Sequence, residues 1–515
     1  MQRGTLLALA AMAMSVFVIA NDVTALSVAL PTIEDDFDAD VTTVQWVINA
    51  YAVIFGVLLV TGGRLADMFG RRRIFFIGSA VFVTFSLLGG AAQSDIWLIL
   101  CRGLMGIGGA MMWPAVLGMT YGLLPPERAG LAGGLIIGAA GLGNAAGPLL
   151  GGVLTDALSW RWILFANLPI AGLACLVTWR NVAETRMGGA DDAIDVPGVA
   201  TLSVGLVSLL IALDQVTDWG WTDPRILALF AGCVLLLVAF AVIERHAGDR
   251  ALVPREVMGN PAFRAACLTT LLMSAVFFVA LMYLPQFFQK ILGWSPLEAG
   301  AGLLPLMGVF AAVSFASGPL YERFGPKLMV TAGASCLTLG MFMLSLVDRD
   351  SDWGTLVPGM VVTGLGVALF YSSITTAAVT ALDPSRASLA SGIVYMFQIA
   401  GGSVGLGLTT MIFTTASEDR LQRDAASLSD RDVSEVQGVL AGTESAAEVI
   451  ARQGSAAAER LIETVRDAFA AGLSWSFRLV AVLALLGVIV SLLFVGGSLF
   501  GRRRTDPATA PDPAG

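Results

Sequence analysis

Apolar residues in this chain come in runs of about 17–25, each closed by a polar turn, the length needed to cross a bilayer as a helix. No other feature leaves so few folds open. Such runs stand near 5–30, 44–63, 74–92, 97–119, 131–154, 162–179, 196–213, 226–243, 265–288, 299–318, 328–347, 354–378, 388–413 and 473–500. Fourteen crossings put both ends of the chain on one side. Of 515 residues only 13% are charged and 56% are hydrophobic, whereas soluble domains carry ~25% charged residues. The reading is an all-α polytopic membrane protein. Arg3 and the run behind it could open a signal peptide, but the apolar character continues past Asp22 to Leu30, as expected of an uncleaved first helix.

Charge placement orients the helices. The turn between the second and third runs, Gly63 to Arg73, ends in Arg71, Arg72 and Arg73. On the same side fall Arg64, Arg128, Arg180, Arg245, Arg255, Arg264, Arg323, Lys327 and Arg386. The opposite side holds Arg161, Arg225, Lys290, Arg349 and Arg478, together with an acidic first loop from Glu34 to Asp40. Lys and Arg collect on the cytoplasmic face, so both termini are expected in the cytoplasm and the protein in the plasma membrane.

Several functions are disfavoured. A net charge of −9 argues against nucleic acid as a partner. The five cysteines all lie in apolar runs, as buried inert thiols do. His246 is the single histidine and sits in a polar loop. With no triad, no metal-spaced His/Cys set and no phosphate-binding Gly-Lys-Ser/Thr loop, neither an enzyme nor a nucleotide-driven pump is expected, and neither a metal nor a cofactor.

The chain repeats itself. Arg128 to Ala132, before the fifth run, matches Arg386 to Ala390, before the thirteenth, and the offset is 386 − 128 = 258. At that offset Gly106 and Gly108 fall on Gly364 and Gly366. Gly318 to Lys327 echoes the Arg-rich turn, with Glu322 in the place of Asp67. The expected organisation is a six-helix bundle over 1–180 and a linker with two additional helices over 181–264. A second six-helix bundle covers 265–500, including a polar outer segment at 415–470, and a tail follows at 501–515. Within that segment Ala446 to Ala470 suits an amphipathic helix.

The order of residues in the Gly63–Arg73 turn resembles the loop between helices 2 and 3 of the major facilitator superfamily. Asp22 to Pro31 resembles the first-helix motif of that family's fourteen-helix drug:proton antiporter branch. The stretches from Trp160 to Pro169, Tyr283 to Gln289 and Ser295 to Gly300 are similar to others of its motifs. Gly143, Gly147, Pro148, Gly151 and Gly152 resemble the antiporter motif, and the matching Gly401 to Leu406 lacks the proline. Small residues four apart let another backbone approach, and a mid-helix proline bends the helix. The resemblance implies a major facilitator fold of two six-helix bundles plus two inserted helices. It also implies export of small amphipathic molecules such as drugs or antibiotics, exchanged for protons by a monomer in the lipid bilayer. A dedicated lipid or natural-product exporter, or a sensor that does not transport, is the alternative.

With Arg478 assigned to the outer start of the last run, two charges fall within the membrane itself, Asp22 in the first run and Arg102 in the fourth. Each costs ~2.5–3.5 kcal/mol alone at the centre of a span, and their similar depths permit mutual compensation. A carboxyl alternating between a dry setting and a cation's company can bind and release a proton, so Asp22 and Arg102 are the proton-coupling candidates. Asp22 can equally cap a local break without titrating. Met105 stands where the family usually has glutamine, and the thirteenth run has no acid of the kind that dication exporters use. Gly63, Asp67, Gly70 and Arg71 are expected to form a cytoplasmic gate, with Asp67 at a helix N-terminus or paired with Arg.

Overall fold

A computed structural model describes residues 3–39, 41–186, 195–248, 251–424 and 455–496. Among these residues fourteen helices are long and apolar enough to cross a membrane. They are α1 (Arg3–Val28), α2 (Val41–Phe69), α3 (Arg71–Gly90), α4 (Asp95–Leu123), α5 (Ala129–Ala157), α6 (Arg161–Asn181) and α7 (Val196–Trp219). The others are α8 (Pro224–Ala247), α9 (Pro261–Lys290), α10 (Leu304–Phe324), α11 (Pro326–Leu344), α12 (Trp353–Thr380), α13 (Ala387–Asp424) and α14 (Ser455–Phe494).

Helix boundaries have local causes. Ser94 caps α4 by accepting from the Trp97 N–H at 3.3 Å, and Asn260 caps α9 by accepting from Ala262 and Phe263. Side-chain acceptors at these positions satisfy N–H groups that a helix start leaves without partners. Gly70 and Gly325 turn the chain after α2 and α10 with φ of 109° and 82°, which a side chain resists. Pro31 cannot donate to α1, so α1 ends at Val28 and a short helix, Leu30–Phe37, begins instead.

Helices α1–α6 form one bundle and α9–α14 another, with the pair α7 and α8 between them in sequence. The bundles repeat the same neighbours: α1 packs on α5 as α9 packs on α13, α2 on α4 as α10 on α12, and α3 on α4 as α11 on α12. The bundles meet chiefly where α5 lies along α10 and α2 along α13. The inserted α7 rests beside α2 and α13. Just 11% of the most apolar window of α8 is buried, which leaves that helix to face lipid. The end bearing Arg71–Arg73 is called the basic end below, and the end bearing Glu34–Asp38 the acidic end.

One expectation of the sequence changes. Helices α13 and α14 run well past their apolar stretches, to Asp424 and from Ser455. Ala, Glu and Arg are strong helix formers, so the ends of the polar segment continue the spans they border. Val465 and Phe469 are buried, on one side of α14 as the amphipathic pattern suggests. The stretch 425–454, with Val449 and Ile450, and the tail 501–515 lie outside the described residues.

Candidate functional site

Asp22 and Arg102 are both fully buried and form an ion pair, Arg102 Nη1 donating to Asp22 Oδ2. The pair lies inside the first bundle, and five of its helices build it. Asn167 of α6 donates from Nδ2 to the second carboxylate oxygen, Oδ1, at 2.8 Å, and to Ser86 Oγ of α3 at 3.0 Å. Ser86 in turn donates to the Leu164 carbonyl at 2.7 Å. On the α2 side Arg102 Nε donates to the Val47 carbonyl at 2.9 Å, and the guanidinium lies 4.5 Å from the Tyr51 ring centroid. Both carboxylate oxygens are therefore engaged, as a charge kept from water requires. Arg102 Nη2 and the Tyr51 hydroxyl have no partner among the described residues.

Similar depth in the sequence groups Asp22 with Arg102 but does not point to their companions. Asn167 lies inside the Trp160–Pro169 motif with nothing to mark it as a partner of Asp22, and Ser86 carries no charge and no spacing that sets it apart from packing residues. Met105 is fully buried, with its sulfur 3.8 Å from Arg102 Nη1. It stands as a neighbour of the ion pair.

The glycines of α5 hold the helix that carries Asp22. A Cβ added at Gly143 would lie 2.7 Å from the Phe17 carbonyl oxygen, one at Gly147 would strike the Thr24 hydroxyl, and one at Gly151 the Ala25 carbonyl. All three neighbours are on α1 and bracket Asp22. Gly152 and Pro148 touch another partner, the short helix Pro296–Gly302 of the second bundle, through Leu297 and Gly300. The motif occupies the acidic half of α5. The basic half, through Gly130 and Gly134, packs against Gly318 and Ser314 of α10.

At the basic end three residues of the Arg-rich turn, Gly63, Asp67 and Arg71, converge on the start of α13, whereas Gly70 faces the Glu184 carboxylate. Asp67 accepts from the backbone N–H of Leu389 at 2.9 Å and of Ser388 at 3.4 Å, and from Arg71 Nε at 2.9 Å. Arg71 Nη1 and Nη2 donate to the carbonyls of Gly118 at 3.0 Å and Pro384 at 2.7 Å. Asp67 and Arg71 are buried. A Cβ on Gly63 would come within 2.6 Å of the Ser388 carbonyl oxygen, so glycine is what lets α2 touch α13. The carboxylate thus sits at a helix N-terminus and on an arginine at once.

Glu322, which is exposed, repeats the helix-start contact without the arginine, accepting from the Leu131 N–H at 3.2 Å at the start of α5. Leu131 and Leu389 are related by the sequence offset, 389 − 131 = 258. Each bundle therefore supplies an acid to a helix start of the other. Beside the turn, Glu184 accepts from the N–H groups of Arg72 and Arg73 at 3.1 and 2.9 Å. It caps α3 from the segment after α6, a role with no signal in the sequence. Between the two regions lie Phe55, Trp113 and Tyr395, the last two rings 4.4 Å apart, contributed by both bundles.

Two repeated bundles that share helix starts across their interface, one of them enclosing an ion pair, have the build of a multi-pass membrane transporter. Within that class the chain belongs to the Major Facilitator Superfamily, whose family model matches residues 12–406. It is 35% identical over 402 residues to "Puromycin resistance protein pur8" of Streptomyces alboniger, covering 77% of this chain and 79% of that one. It is 30% identical over 490 residues to "Tetracenomycin C resistance and export protein" of Streptomyces glaucescens, covering 94% and 90%. The solved structure of the human organic anion transporter MFSD10 (TETRAN) shares the fold at a TM-score of 0.64, with 13% identity, over 95% of this chain and 100% of that one.

Proposed function

We propose that this protein is a proton-coupled exporter of small amphipathic molecules such as antibiotics. It works as a monomer in the plasma membrane with both termini in the cytoplasm, so that the basic end faces the cytoplasm. The observation that carries the coupling is the buried Asp22 held by Arg102 and Asn167. A proton arriving on Asp22 removes the negative partner of Arg102, and the freed guanidinium then favours a different packing of α1, α4 and α6. Residues 1–180 hold this proton site, and 265–500 supply the opposing side of the gate.

The glycine face of α5 supports the reading, because it ties the position of Asp22 to a helix whose other half packs on the second bundle. Gly63, Asp67, Gly70 and Arg71 form the cytoplasmic gate, closed while Asp67 holds the start of α13. Phe55, Trp113 and Tyr395 offer flat, apolar surface between the bundles where an amphipathic molecule can stack. The relatives named for puromycin and tetracenomycin C resistance support antibiotic-like cargo, and also a second reading, export dedicated to one natural product.

Reconstituted vesicles test the coupling. Asp22→Asn should abolish export driven by a proton gradient while counterflow of substrate persists. Full gradient-driven export by this variant would overturn the assignment. A growth-inhibition panel across unlike compounds separates multidrug from dedicated export.

A further inference from the structure

At the acidic end of the second bundle, away from the ion pair and the gate, lies a cavity of about 900 Å³. Its walls are the loop after α11, the outer extension of α13 and the outer part of α14. Four arginines (349, 420, 423 and 478) and four aspartates (348, 350, 419 and 467) line it, so its formal charge cancels. The charges are not all spent on one another. Asp467 engages Arg349 and Arg420, each at 3.5 Å. Arg478 makes no ion pair among the described residues and lies over the Trp475 ring, 5.0 Å from its centroid. The carboxylate of Asp419 likewise has no partner among them; Arg423 donates to the Asp419 backbone carbonyl and Asp348 accepts from Ser351 Oγ, and neither makes an ion pair among the described residues.

Of these charges Arg478 is the one whose position says what it suits. Trp475 is 54% exposed at the outer end of the apolar part of α14, where tryptophan marks the bilayer interface. From Trp475 an exposed stripe runs down the same helix face through Val482, Leu486, Ile489 and Leu493, at the spacing of one helical side. Arg478, one turn below Trp475, stands at the head of this stripe at headgroup depth, where a guanidinium can reach a phosphate.

We propose that the cavity holds the headgroup of a zwitterionic aminophospholipid from the leaflet at the acidic end, its phosphate on Arg478 and its ammonium on Asp419. One acyl chain lies along the exposed stripe of α14. A solute would gain nothing from that stripe, and an anionic headgroup would leave Asp419 unanswered.

Native mass spectrometry of the full-length protein, titrated with phosphatidylethanolamine or with phosphatidylglycerol of the same acyl chains, tests this. The wild type should retain one phosphatidylethanolamine, and Arg478→Gln and Asp419→Asn should each weaken retention about tenfold, the size expected for losing one charge-assisted contact. Arg478→Lys, which keeps the charge, should retain the lipid and so controls for folding. Equal retention of phosphatidylethanolamine by Arg478→Gln and the wild type would overturn the site. Equal retention of phosphatidylglycerol by the wild type would reduce it to nonspecific attraction. Displacement by soluble phosphoethanolamine at equal concentration would make the occupant a solute and overturn the lipid assignment.

Discussion

Asp67→Ala should unlock the basic end. The carboxylate accepts two backbone N–H groups of α13, from Leu389 at 2.9 Å and Ser388 at 3.4 Å, and both cross between bundles. A hydrogen bond to a charged group contributes ~1.5–3 kcal/mol net. Counting both at the low end, since one is long, gives ~3 kcal/mol available only when the basic end is closed. That equals about a hundredfold in the ratio of closed to open molecules. Arg71 keeps its bonds to the carbonyls of Gly118 and Pro384, so local unfolding is not expected. Asp67→Asn keeps an acceptor without the charge and should shift the ratio by only about tenfold. The assay is a distance distribution between spin labels at the exposed Arg73 and Arg323, in a background lacking the five native cysteines. Asp67→Ala should populate a longer distance that is minor in the parent protein. An unchanged distribution, or an equal shift from Arg72→Ala, would refute the idea that this carboxylate holds the gate.

Three further outcomes follow from the geometry. Asn167→Leu leaves Asp22 Oδ1 without its donor and should lower gradient-driven export at least tenfold while counterflow survives; normal coupling would show that Asn167 only fills space. Gly147→Leu drives a side chain into Thr24 and should cost more than ~3 kcal/mol through overpacking, read as lost thermal stability in detergent, whereas Gly308→Leu, with nothing within 4 Å of an added Cβ, should be near neutral. The Ser385 hydroxyl, and then its N–H, hold the Asp383 carboxyl below the ordinary carboxylate range. The stability this contributes is present above the ordinary value and is lost as pH falls through the lowered one. A carboxyl titration by NMR should show Asp383 still ionised where free aspartate has protonated.

Much of the architecture was legible because a bilayer imposes length and hydrophobicity on every span. The fourteen crossings and the 258-residue repeat needed no knowledge of contacts. Boundaries failed where composition ceased to report membrane, as in α13 and α14, whose helix-forming polar ends continue past the apolar stretch. For the site, charge inside an apolar run was signal enough to single out Asp22 and Arg102. Ser86 and Glu184 stayed invisible, and Asn167 was legible only as a member of the Trp160–Pro169 motif, because their importance comes from a partner distant in sequence. The glycines of α5 were recognisable as a close-packing face, but the surface they pack against, α1 on either side of Asp22, could be learned only from three-dimensional neighbours.

The exchange of acids between bundles has a consequence for how this interface tolerates mutation. On the receiving side the donors are main-chain N–H groups of Leu131, Ser388 and Leu389, and every residue except proline supplies the same group. Drift at those three positions leaves the hydrogen bonds in place. The accepting side is one carboxylate per bundle, Asp67 and Glu322. Variation that weakens these acid contacts is therefore concentrated at two positions, Asp67 and Glu322, and it leaves the Arg71 bond to the Pro384 carbonyl in place as a separate link between the bundles.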